Sequence, residues 1–285
     1  MRTKVTIGLF LLPATAFVAV LLLVPFVGTL IQSFTYDNGL TTASFAGFDN
    51  YLAIFQDPAL RRSLLNTAFW TVGSLIFPVG TGLLIAVLTN SLKAGLWIRL
   101  AIVLPYAISG VATGTVWKFM LNTDGAVNQL LSAVGLGGWA RSWLLTWPEN
   151  TFAMIVAYSW QISGVCVILY LVGLQSVPSE TVEAGRLDGA TGFRLFSQIV
   201  FPQLRSITVV VIGISLANGL RVFDMIWVLT GGGPGTVSET LAVSMYRAAF
   251  GLNQYGLGAA IAVVLTIIVL GSSWAYLRSQ MPERQ

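Results

Sequence analysis

A chain of 285 residues with no histidine, one cysteine and three lysines has few ways to make or break a covalent bond. Without histidine it has no imidazole for acid–base work or metal ligation. Cys166 stands alone in an apolar run, so it forms no internal disulfide and reads as a small buried hydrophobe. Lys4, Lys93 and Lys118 all lie outside any G-x-x-x-x-G-K-[ST] loop, so the chain carries no phosphate-cradling site of that kind. What remains is non-covalent chemistry in apolar surroundings. Tyr106, Ser109 and Gly110 fall in one apolar segment, and Trp160, Gln161, Ser163 and Gly164 in another. A third holds Ser215, Asn218, Gly219 and Val222, whose spacing puts them on one helix face. Polar side chains at membrane depth are costly against lipid, so these residues line either a polar path or helix–helix contacts.

The chain is 55% hydrophobic and 9% charged, with a mean hydropathy of +0.80. A soluble domain carries about 25% charged residues, so this is an integral membrane protein. Six apolar segments emerge, at 6–33, 67–91, 98–120, 152–174, 205–229 and 257–278. Each exceeds the ~20 residues a helix needs to cross a bilayer. Pro13, Pro25, Pro78 and Pro105 interrupt them, as membrane helices tolerate. No segment alternates as a β-barrel strand does, and no gap between spans is long enough for a separate soluble domain. The expectation is one all-α, six-helix membrane domain over 1–285. Arg2, Lys4 and Ala14-Thr15-Ala16 mimic a cleaved signal, but the apolar run continues to Ile31, which favours an uncleaved first helix.

Lys and Arg set the orientation. With the N-terminus cytoplasmic, Arg2, Lys4, Lys93, Arg99, Arg186, Arg194, Arg205, Arg278 and Arg284 lie inside; Arg61, Arg62, Lys118, Arg141, Arg221 and Arg247 lie outside. The inner set also holds Glu180, Glu183, Asp188 and Glu283. Both termini and the 178–203 loop are then cytoplasmic. The outer gaps carry Phe45, Phe48, Tyr51, Phe55, Trp139, Trp143, Trp147, Tyr246 and Phe250, as interfacial anchors or as a docking surface. Arg221 and Asp224, three apart, are expected to pair. Lys118 is expected to snorkel, Gly231-Gly232-Gly233-Pro234 to turn the chain, and 239–250 to form a short outer helix.

The 178–203 loop reads as two short helices around a glycine. Ser179 is placed to cap the first, with Glu180 and Glu183 in its first turn. Gly189 stops it, Thr191 caps a second helix over 193–198, and Pro202 ends that one. The small residues Ala184, Gly185 and Ala190 allow another backbone to come close. Glu183, Ala184, Gly189, Ile199 and Pro202 fall at the spacings of the E-A-A loop of ABC importer permeases, with Gly185 and Phe201 departing from that pattern. Asp188-Gly189-Ala190 resembles the D-G-A of the carbohydrate-type branch. Phe223-Asp224-Met225-Ile226-Trp227-Val228-Leu229-Thr230-Gly231-Gly232-Gly233-Pro234 closely resembles a stretch of maltose-type sugar permeases, and Leu104-Pro105-Tyr106 after Arg99 also fits.

The resemblance runs from the second span to the C-terminus. It implies the type I importer permease fold in a bacterial or archaeal plasma (inner) membrane. It also implies a multisubunit machine: a second permease, two ATPase subunits that carry ATP and Mg, and an extracytoplasmic solute-binding protein. No cofactor belongs to this chain itself, which is a transport subunit and not an enzyme. Glu183, Ala184, Gly185, Asp188, Gly189 and Ala190 would then couple to the ATPase. A sugar-class solute would meet Tyr106, Gly110, Ser215, Gly219 and Val222, at places matching the family's sugar contacts. Gln161, Asn218, Tyr106 and Trp160 offer amides for hydroxyls and flat rings for C–H faces. Other readings are a permease for a glycerol phosphate ester or another polar solute, an ion-coupled transporter, and a membrane scaffold. A cationic solute would need acids in the cavity, and an ion-coupled carrier an acid at mid-membrane; none stands in spans three to five except Asp224, near an end.

Overall fold

The computed structural model describes residues 2–91 and 96–280. Lys93, Glu283 and Arg284, used above for orientation, lie outside the described residues. The chain gathers into two compact units. One is the N-terminal stretch to Arg61 with Leu241–Ile268; the other is Arg62–Thr240 with the stretch from Val269 onward.

In the first unit, α1 (Arg2–Val18) passes through a π turn at Ala19–Leu23 into α2 (Val24–Gln32). The Phe10–Gln32 stretch is long and apolar enough to span, and none of its most apolar window is buried within the chain. Its apolar faces therefore need lipid or another chain. Beyond it, β1 (Thr35–Tyr36) pairs antiparallel with β2 (Ser44–Phe45), and α3 (Asp49–Gln56) follows. Asn50 holds this corner by donating to the carbonyls of Ser33 at 3.0 Å and Thr35 at 2.9 Å. The expected outer aromatics pack here: Phe34 meets Phe48 edge-on and Tyr51 at a tilt. The short outer helix expected over 239–250 forms as α14 (Leu241–Tyr246), followed by a π turn at Arg247–Gly251.

The second unit carries most of the membrane helices: most of α4 (Pro58–Ser91), α5 (Leu96–Ala107), α6 (Gly110–Met120), α8 (Glu149–Gln175) and α12 (Arg205–Leu220), and the end of α15 (Tyr255–Gln280). A short helix, α7 (Ala126–Ala133), precedes α8. Small residues bring these helices together, as lipid supplies no hydrophobic drive between them. A Cβ on Gly82 would overlap Cys166, and one on Gly164 would lie 3.0 Å from Tyr106 Cβ. Cys166 is buried in a cluster with Ala86, Val167, Tyr170 and Val211, in keeping with its reading as a hydrophobe.

Among the described residues, four helices are long and apolar enough to cross a membrane, and six result only if two bent pairs each count as one span. Two expected spans are thus not single helices. Span three breaks between α5 and α6, whose axes differ by 104°. Pro105 removes a backbone donor near the end of α5. Ser109 then turns extended (φ −63°, ψ 150°), and its hydroxyl accepts from Ala112 N–H at 3.2 Å to cap α6. Span five ends early. α12 stops at Leu220, three non-helical residues intervene, and α13 (Asp224–Thr230) starts afresh. Gly231 at φ +60° ends α13, and Thr230 and Ser238 bond at 2.7 Å across the expected glycine turn.

Buried Asn66 ties α4 to the 237–239 stretch and to Trp147. Its amide N–H donates to the carbonyls of Val237 and Glu239, and its oxygen accepts from Trp147 Nε1 at 2.8 Å. Trp147 is thus held by a protein hydrogen bond as well as by any interface.

Candidate functional site

Two features stand out: a polar cleft beside the break in span five, and the helix pair at 179–203.

The cleft has a volume of about 310 Å³. Of the eight residues expected to meet a solute, it brings together Gly110, Gln161, Asn218 and Val222. Tyr158, Ile162, Phe223 and Met225 complete it with Arg221 and Asp224. Nothing in the sequence singled out Tyr158 or Ile162, whose types are common throughout the spans, and Phe223 and Met225 stood out only as part of the stretch that resembles sugar permeases.

Gln161 is buried and already engaged: its Nε2 donates to the Ile108 carbonyl at 2.6 Å. That carbonyl sits at the span-three break, where a helical partner is missing. Asn218 is half-buried, and its oxygen accepts from Arg221 Nη2 at 3.3 Å. Arg221 and Asp224 do not pair with each other, contrary to the spacing argument. The i, i+3 rule holds within a helix, and Arg221 and Phe223 lie off helical geometry. Asp224 instead opens α13, where the helix dipole favours a carboxylate. Both charges stay exposed on one cleft.

The other four expected solute residues lie outside this cleft. Ser215 and Gly219 are buried against α4: Ser74 Oγ donates to the Ser215 carbonyl at 3.4 Å, and a Cβ on Gly219 would overlap Ser74. The expected single face of span five is therefore split. Ser215 and Gly219 pack inward, while Asn218 and Val222 border the cleft. Tyr106 and Trp160 are partly exposed, and Trp160 meets Trp117 edge-on at 6.0 Å. Lys118 makes no ion pair with a described residue. Its ammonium donates to the Val228 carbonyl at 3.3 Å near the end of α13, where a cation is favoured.

At the second candidate, α9 (Ser179–Leu187) follows Pro178, which occupies the cap position without a side-chain bond; Ser179 is the first helical residue and not the cap. The stop at Gly189 forms as expected. Gly189 adopts φ +82°, its N–H reaches the Arg186 carbonyl at 3.0 Å, and Ala190 N–H reaches Gly185 O at 2.9 Å, the paired bonds of a Schellman motif. α10 (Gly192–Leu195) then runs through a π turn at Phe196–Val200 into α11 (Phe201–Gln203). Thr191 stands at the start without a side-chain cap, and Pro202 lies inside the helix; the bend to α12, of 75°, comes at Leu204. Proline at the second position of α11 costs no helical bond that the π turn had not already altered.

Gly185 is buried beneath this second helix, where a Cβ would overlap Ile199 Cδ1 and lie 3.3 Å from Leu195. Its smallness serves contact within the hairpin, not an approach from outside. Ala190 is buried as well. Glu183, Ala184, Asp188 and Gly189 are exposed. Leu187 and Phe193 are 90% and 83% exposed, an apolar pair at the tip.

A helical membrane protein with broken spans, a polar cleft at one break and a rigid helix pair outside the spans is built as a transport subunit. The chain belongs to the family of binding-protein-dependent transport system inner membrane components, whose model matches residues 79–280. It is 33% identical over 276 residues to the probable ABC transporter permease protein YurN of Bacillus subtilis (strain 168), covering 95% of this chain and 94% of that one. It is 31% identical over 273 residues to the trehalose/maltose transport system permease protein MalF of Thermococcus litoralis, covering 95% and 92%. A crystal structure of a bacterial ABC transporter that imports the acidic polysaccharide alginate has the same fold, with a TM-score of 0.79 over 98% of both chains at 24% identity. The chain is thus an inner-membrane permease component, not itself an ATPase.

Proposed function

We propose that the chain forms half of the path of an ATP-driven sugar importer. It works with a second permease, two ATPase subunits that hold ATP and Mg, and an extracytoplasmic binding protein. The observation that carries this reading is the hairpin of α9 and α10–α11. It is rigid through the Gly185–Ile199 contact, lies in direct chain continuity with α8 and α12, and offers Glu183, Asp188, Leu187 and Phe193 to a partner. Closure of the ATPase subunits would move this hairpin as a body and tilt α8 and α12 with it, an alternating-access motion. The K/R bias puts the hairpin and both termini in the cytoplasm. The sugar class rests on relatives named for trehalose/maltose, starch degradation products and arabinooligosaccharides. It also rests on a cleft where Asn218, Arg221 and Asp224 offer both donors and acceptors for hydroxyls.

The test is purification of the tagged chain in mild detergent with whatever co-purifies, followed by reconstitution into vesicles with ATP and a sugar panel. The expected result is an ATPase and a second permease in the preparation, ATP-dependent sugar uptake, and loss of coupling in Glu183→Lys with assembly intact. A lone chain with no nucleotide-hydrolysing partner would overturn the reading.

A further inference from the structure

A second groove, of about 890 Å³, opens between α4, the end of α8 and the α9–α10 hairpin. Its walls are apolar, with Leu83, Leu84, Val87, Leu174 and Phe196 among them, and Arg186 is their only charge among the described residues. On α4 the lining runs from Gly80 to Asn90. Ten residues of helix rise about 15 Å, half of the ~30 Å hydrocarbon core, so along α4 the groove is about as long as one leaflet is thick. Arg186 stands at the hairpin end, exposed and without an acidic partner. Val182 and Arg186, four apart on α9, both face the groove; Glu183 and Leu187, one residue further on, do not line it. The helix thus turns one face to the groove and keeps its acids off it.

We propose that this groove holds one anionic phospholipid of the cytoplasmic leaflet, its acyl chains along α4 and Phe196 and its phosphate on Arg186. An apolar slot about as long as one leaflet is thick, with a single guanidinium among its described lining residues, suits a lipid in both shape and charge. The lipid would brace the hairpin against α4 and α8. The inference uses the cytoplasmic placement of the hairpin but no solute identity.

The experiment is native mass spectrometry of the full-length chain, with its co-purifying subunits, after exchange into detergent containing phosphatidylglycerol or phosphatidylcholine. Wild type is expected to retain phosphatidylglycerol in preference to phosphatidylcholine. Arg186→Gln is expected to retain about fivefold less, Arg186→Lys to keep most of it, and Leu84→Trp, which fills the slot, to lose both lipids. A photo-crosslinker at Leu84 is expected to capture lipid. Equal retention of the two lipids by wild type, unchanged retention in Arg186→Gln, or capture of a partner subunit at Leu84 would each overturn the proposal. Thermal melting of each variant separates these results from misfolding, and a failure to import any sugar leaves the lipid readout unaffected.

Discussion

The side-chain amide of Gln161 on α8 is bonded to the carbonyl of Ile108, the residue at which span three breaks. A residue whose type suggested solute binding thus ties α8 to the break in span three. Losing one such bond costs about 1 kcal/mol. Gln161→Leu is therefore expected to lower the stability of the detergent-purified protein by that amount, read from thermal melting. An unchanged melting curve would mean that Ile108 finds another donor and the amide is free for solute.

Gly185 and Ile199 occupy one space. Gly185→Leu is expected to push the two helices apart at a cost of about 1–3 kcal/mol. ATP hydrolysis in the reconstituted assembly would continue while uptake falls. Ile199→Ala in the same chain is expected to restore part of the coupling. If the single variant couples normally, the hairpin does not transmit as a rigid body.

On the other side of the second unit, Gly219 and Ser74 set the approach of α12 to α4. Gly219→Ala is expected to destabilise by about 1–3 kcal/mol, and Ser74→Ala to relieve part of it. Additive losses in the double variant, measured by melting, would contradict a direct clash.

The unpaired charges of the cleft give a transport prediction, conditional on the import reading. Asn218→Leu and Asp224→Asn are each expected to slow sugar uptake by about tenfold, the loss of one hydrogen bond to a charged or amide group, with assembly unchanged. Equal uptake rates would assign both residues to packing.

In the outer corner, Gln32 Nε2 donates to Asp37 Oδ2 at 2.8 Å, and this bond, helped by Gly39 N–H, holds the Asp37 carboxyl below its ordinary value. A depressed carboxylate stabilises the folded state above its unfolded pKa of about 3.9 and loses that contribution as pH falls through the folded value. Gln32→Ala is expected to make the corner lose order at a higher pH during acid titration, followed by fluorescence of a probe placed at Leu40. Coincident titration curves would show that the bond does not matter. Tyr36 shifts the other way: it donates to Asp49, and its phenol is held above the ordinary tyrosine range.

Much of this molecule is legible in local sequence. Apolar runs of spanning length and a glycine followed by a buried alanine at the end of α9 each obey rules that act within a few residues, whereas proline marks a break only at Pro105 and runs inside helices at Pro13, Pro78 and Pro202. The Gly189 stop could be read directly, because only the backbone of its own turn decides it. The Arg221–Asp224 pairing could not. It assumed a continuous helix, and the break after Leu220 depends on how α13 packs on α6, where Gly114 lies 3.0 Å, measured from an added Cβ, from Val228.

Sequence alone is enough to place the chain in its class: helical, membrane-embedded, and with a two-helix loop suited to a partner. Which face of each helix is used depends on the packing of elements far apart in the chain. Ser215, Asn218, Gly219 and Val222 share a face by spacing, yet α4 takes two of them and the cleft the other two. Gly185 is small because Ile199 sits on it. Periodicity follows from the bonds of a single helix, whereas the use of a face follows from the neighbour that covers it, and that neighbour lies far away in the chain.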